Sequence, residues 1–146
     1  MNLTLLSATM GILVISCTAQ AQAAEYDWTG IYETKETNFV TVKRLEITKE
    51  KNGSLKVRGT LVGFPEEVSI GEATADPYVN RSTKESTSDT LLVRFPSEKY
   101  KPLIVVKPQS YNHGNPADIT SVNYTCYFTD VDGRQVHVAG VLPERK

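Results

Sequence analysis

The sequence predicts an all-β protein: a single antiparallel barrel of about eight strands with a calycin or lipocalin-like build, or alternatively a β-sandwich. Residues that favour strands (Val, Ile, Thr, Leu, Tyr and Phe) recur in short runs, and seven Pro and eight Gly (the nine of the chain less Gly11) separate these runs. Two turn sequences also specify hairpins in which apolar residues face apolar residues. Several short strands at close spacing are typical of barrels and sandwiches.

The first strand is expected to begin next to Trp28, the only Trp of the chain. In the second strand, the apolar residues change from even-numbered to odd-numbered positions. Val42 is on an even position and Leu45 on an odd one, so we predict a β-bulge at Lys43-Arg44 that restores the inward face. The expected strands cover residues 29–35, 39–48, 54–63, 67–74, 89–95, 102–107, 119–129 and 134–142.

The turn Lys51-Asn52-Gly53 fixes the register of the second and third strands. A two-residue loop would place Ile47 opposite Arg58, whereas a three-residue loop with Gly53 in the left-handed conformation places Ile47 opposite Val57. A slip of one residue reverses every side chain, so the second register is favoured. It predicts the pairs Leu45 with Gly59, Glu46 with Arg58 and Ile47 with Val57.

The turn Val131-Asp132-Gly133 gives the same result for the last two strands. A three-residue loop pairs Phe128 with Val136 and leaves Tyr127 and His137 on the wetter outer face. The full set of inward pairs is Tyr124 with Gly140, Cys126 with Val138 and Phe128 with Val136.

Two polar segments, residues 76–88 and 109–118, are predicted to be loops because they are rich in turn-forming and hydroxyl residues. Loops of this length are often functional or mobile. Two continuous apolar runs, 91–93 and 103–106, indicate strands that are covered on both faces, mainly by the rest of the domain.

Residues 1–23 have the features of a signal peptide, which leaves residues 24–146 as a single β-barrel domain. The segment lacks Lys, Arg, Asp, Glu and His, and ends in the small-x-small pattern Ala21-Gln22-Ala23. Removal of 23 residues from 146 leaves 123, enough for one hydrophobic core. We expect a secreted or periplasmic protein. In the alternative, Cys17 ends a lipobox-like sequence and anchors the chain by lipid in the cell envelope.

Composition excludes several classes of partner. Sixteen basic and seventeen acidic residues give a net charge of −1, so the chain offers neither a footprint for nucleic acid nor a polybasic patch for anionic lipid. After export Cys126 stands alone, and no intramolecular disulfide is expected.

The residues with catalytic or metal-binding side chains do not form a known catalytic or metal-binding motif. His113, His137 and Cys126 lack the close spacing of zinc ligands, and the predicted register separates Cys126 from His137. Asp130 and Asp132 lie in a turn without the further oxygen ligands of a calcium loop. We therefore predict a non-enzymatic protein with no metal and no cofactor.

The stretch Trp28-Thr29-Gly30-Ile31-Tyr32 resembles the Trp-x-Gly-x-Tyr opening of small envelope barrels, including lipocalin-like envelope lipoproteins of bacteria. It is also similar to the first strand of eight-stranded outer-membrane barrels. The Cys-x-x-Cys that follows the first strand in the lipoproteins is absent, so their metal and redox properties are not implied. Arg58, Arg94 and Lys107 interrupt the strands, which argues against a membrane-spanning barrel.

These features predict an exported binding protein that holds a small apolar or amphipathic ligand in a cavity lined by Trp28, Tyr32 and Tyr124. In a purely structural alternative, the same aromatic residues close one end of the barrel as part of its core. In a second functional alternative the protein is an interaction module, for example an inhibitor of an extracellular or periplasmic enzyme. Its contacts would then lie in loops 76–88 and 109–118.

Overall fold

A computed structural model describes residues 26–35, 41–63, 66–79 and 86–146. The signal peptide expected at 1–23, with Cys17, lies outside the described residues, as do the first two residues of the expected second strand. The eight strands are β1 (Gly30–Glu33), β2 (Thr41–Lys49), β3 (Leu55–Val62), β4 (Val68–Val79), β5 (Ser86–Arg94), β6 (Leu103–Tyr111), β7 (Ile119–Thr129) and β8 (Gln135–Pro143).

All eight strands belong to one antiparallel sheet in which each strand pairs with its neighbour in sequence. The sheet curls until its first and last strands meet, where Tyr32 bridges Glu144 and the backbone N–H of Arg145 donates to the carbonyl oxygen of Ile31 over 2.6 Å. The result is a nearly closed up-and-down barrel, which confirms the predicted fold class. A single sheet of this kind is not the two-sheet sandwich.

Both predicted hairpin registers are confirmed. Ile47 pairs with Val57 and Phe128 pairs with Val136, each hairpin closing through a three-residue turn. Gly53 and Gly133 adopt φ values of 85° and 79°, the left-handed conformation that a side chain at Cβ disfavours. The register of β2 shifts between Val42 and Arg44, which confirms the predicted bulge.

Alternate residues of the strands fill the barrel interior. The largest fully buried side chains are Tyr32, Leu45, Ile47, Leu61, Ile70, Ile104 and Leu142. Packing around Gly59 is dense, because a Cβ atom at this position would lie 2.7 Å from Cδ1 of Ile70 and 2.9 Å from the ring of Phe95. Glycine is therefore required here by contact with the core, and not by backbone conformation.

Both segments predicted as loops lie partly in strands. Strand β4 continues to Val79 and β5 begins at Ser86, so residues 76–79 and 86–88 of the first segment belong to strands, while residues 80–85 lie outside the described residues. In the second segment β6 continues to Tyr111. Pro77 and Pro108 suggested earlier strand ends, but both lie where the register shifts, and a bulge tolerates the missing N–H group.

The outer surface has two contrasting halves. On β2–β4, Lys56 lies 3.2 Å from both Glu50 and Glu72, and Arg58 lies 2.8 Å from Glu72. Strands β6–β8 contain a single charged residue, Lys107, in addition to His137. The apolar runs predicted to be covered on both faces are only half-covered outside, since Leu92, Leu103 and Val105 are intermediate in burial. Within the described residues, no helix has the length and apolar character needed to cross a membrane.

Candidate functional site

Three aromatic side chains gather at one end of the barrel, which we call the aromatic end. Tyr26 stacks obliquely on Trp28 with ring centroids 5.9 Å apart, and on Tyr111 with centroids 6.0 Å apart. Tyr26 and Trp28 precede β1, while Tyr111 ends β6, so the cluster joins the beginning of the domain to the middle of the chain. Such aromatic contacts contribute about 0.5–1.5 kcal/mol beyond the area that they bury.

Local hydrogen bonds fix the chain that carries Trp28. The carboxylate of Asp27 accepts from the backbone N–H of Thr29 over 3.0 Å and from its hydroxyl over 2.6 Å. The backbone N–H of Asp27 donates to the carbonyl of Pro116 over 3.4 Å, and the hydroxyl of Tyr32 donates to the carbonyl of Trp28 over 3.2 Å. Trp28 is consequently held in place at 4% exposure.

A depression of about 580 Å³ lies at the aromatic end. Its walls combine aromatic and aliphatic groups with one acidic and one basic side chain. The lining residues are Tyr26, Asp27, Trp28, Thr29, Lys49, Gly53, Leu55 and Ala117. Sites for small molecules span roughly 300–1,000 Å³ and pair apolar walls with a few polar groups, and this depression falls within that range.

The rim beside Ala117 is an ordered turn. A 3₁₀ helix (Asn112–Gly114) follows β6. The backbone N–H of Asn112 donates to the carbonyl of Asp118 over 2.8 Å, and the side chain of Asn115 accepts from the N–H of Ala117 over 3.1 Å. Residues 112–115 are all exposed. The segment therefore presents polar groups in a defined conformation.

The phenol of Tyr111 stays protonated to unusually high pH. Burial from solvent, followed by its hydrogen bond to Tyr26 and the negative charge of Asp89, raises the pKa of Tyr111 to about 12. A protonated phenol can donate a hydrogen bond as well as accept one.

Of the three residues predicted to line a ligand cavity, the structure brings only Trp28 to the depression. Tyr32 is fully buried beside the junction of β1 with β8, and Tyr124 is 4% exposed in the core. The ring of Tyr124 crosses β8 above Gly140, and its hydroxyl bonds to that of Thr41 on β2. Tyr32 and Tyr124 thus pack in the core and at the junction of the sheet, and neither lines the depression.

Tyr111, Leu55 and Lys49 are not predicted as site residues from the sequence. Tyr111 lies in a segment predicted to be a loop, and Leu55 lies in a predicted strand of the barrel. The three-residue turn at Gly53 is the sequence feature that could have identified Lys49 and Leu55, because its register places them opposite each other at the end of the β2–β3 hairpin.

The groups with nucleophilic or metal-binding chemistry are kept apart. Cys126 faces the core, and burial raises the pKa of its thiol to about 12, whereas His137 lies outside against Tyr127 with ring centroids 6.0 Å apart. Among the described residues, no three His, Cys, Asp or Glu side chains gather in a group able to hold a metal ion.

Comparison with protein-family models, with curated protein sequences and with solved structures gave no match.

Proposed function

We propose that this chain is an exported, non-enzymatic binding protein that takes a small apolar or amphipathic ligand at the aromatic end of the barrel. The depression of about 580 Å³ beside Trp28 carries this proposal. Its stacked rings and Leu55 offer apolar contact, while Lys49 and Asp27 suit a ligand with one polar or charged group.

The interior of the barrel is a less suitable place for the ligand. Tyr32 and Tyr124 pack at 0% and 4% exposure, and the contacts around Gly59 leave no room for even one added methyl group. A ligand at the barrel end requires no displacement of this core, and protein cores in general are packed about as densely as crystals of small organic molecules.

The only Trp of the chain reports on the proposed site. We expect the emission of Trp28 to change saturably on titration with 1-anilinonaphthalene-8-sulfonate, an amphipathic anion. The variant Leu55→Ser should weaken this binding by about tenfold, since loss of a leucine contact costs about 1.5–3 kcal/mol. Lys49→Gln should weaken it while leaving the core intact.

The matched control is Leu92→Ser, which makes the same change at another half-buried strand position, away from the depression. It should bind the probe as the unmodified protein does. A lack of saturable change, or equal losses in the Leu55 and Leu92 variants, would contradict the proposal.

The ordered turn at residues 112–118 supports a second candidate, a protein-interaction module. Its hydrogen bonds hold exposed residues 112–115 in one conformation, which lowers the entropic cost of binding a protein. An equal-length Gly/Ser replacement of 112–115 should abolish capture of a partner from the envelope fraction without lowering the thermal midpoint. Retained capture would exclude this turn as the contact.

A further inference from the structure

A second depression of about 580 Å³ lies at the end of the barrel opposite the aromatic end, and we call it the basic depression. Successive turns of an up-and-down barrel alternate between its two ends, so the β5–β6 and β7–β8 turns lie away from the β2–β3 turn. None of the residues that line the basic depression is acidic, and its volume suits a small molecule. Its lining includes Arg94, Lys101, Leu103, Tyr127, Val136 and His137.

The strand register places a row of side chains across the basic depression. Arg94 pairs with Leu103, and Leu103 pairs with Tyr127. Tyr127 in turn pairs with His137. Directly paired residues share one face of a sheet and neighbouring strands are about 4.8 Å apart, so the row crosses roughly 14 Å of the outer face. A basic group therefore stands at one end of a row that continues as apolar and aromatic surface.

The aromatic part of the row is accessible. Tyr127 is 47% exposed, and its ring lies against that of His137 with centroids 6.0 Å apart and planes tilted by 36°. Leu103 is half-buried beside Tyr127. An exposed ring next to an aliphatic side chain offers a planar apolar ligand both a stacking partner and an edge to pack against.

The loop that carries Lys101 is held in one conformation. Lys101 has a φ of 44°, in the left-handed region that few residues other than glycine adopt. Its backbone N–H donates to the carbonyl of Ser97 over 2.8 Å. The backbone N–H of Thr129 donates to the carbonyl of Tyr100 over 2.8 Å, which ties the loop to β7. The exposed Lys101 side chain thus starts from a fixed position at the edge of the basic depression.

The two basic residues of the depression have no carboxylate partner in the described part of the chain. Glu98 lines an adjoining depression together with Arg94 and Lys101, but it forms an ion pair with neither. Oδ1 of Asp130 accepts from two backbone N–H groups of the β7–β8 turn, over 2.9 and 2.8 Å. The guanidinium and the ammonium group are therefore available to an anion.

We propose that the basic depression is a second ligand site, which takes a small aromatic carboxylate. The guanidinium fork of Arg94 matches the two oxygens of a carboxylate, and Lys101 adds a second cationic donor. The aromatic body of the ligand lies along the row, against Leu103 and Tyr127. This site is separate from the aromatic end, and it does not depend on the function proposed there.

Titration with 2-naphthoate tests the site, with binding measured by calorimetry and located by nuclear magnetic resonance. We expect saturable binding with shifts at the methyl groups of Leu103 and the ring of Tyr127. The variants Arg94→Gln and Lys101→Gly should each weaken binding by about tenfold or more, because each removes a charged donor to the carboxylate. Glycine adopts the left-handed conformation readily, so Lys101→Gly removes the ammonium group without straining the loop.

The matched control is Lys107→Gln, which removes the same charge from an exposed position of β6 outside the basic depression. It should bind 2-naphthoate as the unmodified protein does, whereas the uncharged 2-naphthamide should bind at least about tenfold more weakly. The shifts at Leu103 should persist in Leu55→Ser, so this site and the aromatic end are tested separately. A lack of saturable shifts at Leu103, equal losses in the Lys107 and Arg94 variants, or equal binding of the amide would overturn the proposal.

Discussion

At the scale of single residues, Gly140 is required because the ring of Tyr124 lies across it. A Cβ atom at Gly140 would lie 2.8 Å from the hydroxyl oxygen of Tyr124, a distance that real Cβ contacts do not reach. The ring cannot move freely, because its hydroxyl bonds to Thr41 on the other side of the barrel junction.

We therefore expect Gly140→Ala to lower the free energy of unfolding by about 1–3 kcal/mol, the usual cost of overpacking. Urea unfolding measures the change. The double variant Gly140→Ala with Tyr124→Phe should lose less than the sum of the two single variants, since removal of the hydroxyl relieves the closest contact. Additive losses would show that the two residues do not interact.

Cys126 is a core residue whose thiol should be inert in the folded protein. It is fully buried, and burial raises its pKa to about 12, so the reactive thiolate is scarce at neutral pH. In a Cys17→Ser background, a thiol reagent such as 5,5′-dithiobis(2-nitrobenzoate) should react only after addition of denaturant. Rapid reaction without denaturant would place Cys126 outside the core.

At the scale of secondary structure, the turn residues made the strand registers predictable from the sequence. The turns at Gly53 and Gly133 each contain a residue in the left-handed conformation, and each allows only one register that pairs apolar residues with apolar residues. Strand ends were harder to predict. Pro77 and Pro108 looked like strand breakers, but bulges accommodate them, and a bulge there has no hydrophobic signature in the sequence.

The turn at Gly53 provides a direct test of this reasoning. Its φ is 85°, and an added Cβ would meet no atom within 4 Å, so only backbone conformation restricts the residue. Gly53→Val should cost about 1–3 kcal/mol of stability, whereas Gly53→Asn should cost less because Asn tolerates the left-handed region. Equal thermal midpoints for the two variants would contradict the assigned turn.

At the scale of the whole molecule, the candidate site could be only partly predicted. Trp28 was recognised because the chain has a single Trp at the start of its first strand. Tyr111 was not, because its contact with Tyr26 depends on the curvature of the sheet, which brings distant ends of the chain together. Tyr32 and Tyr124 have the chemistry of a ligand site, but the geometry of barrel closure uses them for packing.

The half-buried phenol of Tyr111 and the buried thiol of Cys126 predict that global stability falls at high pH. The pKa values of Tyr111 and Cys126 are both raised to about 12 from their ordinary values of 10.0 and 9.0. Folding therefore favours the protonated forms: this contribution is complete below pH 9 and is lost as the pH rises towards 12. The urea midpoint should fall between pH 8 and pH 11, and less steeply in Cys126→Ala. A midpoint that rises over this range would contradict the burial of these groups.

The two central claims are that the barrel is filled inside and, as proposed, that the ligand binds at its aromatic end, and nuclear magnetic resonance tests both residue by residue. In a titration with 1-anilinonaphthalene-8-sulfonate, we expect shifts at the indole N–H of Trp28 and the methyl groups of Leu55, while the buried methyl groups of Val93 and Ile104 stay unchanged. Shifts centred on Val93 and Ile104, with Trp28 unaffected, would show that the ligand enters the barrel and would contradict both claims.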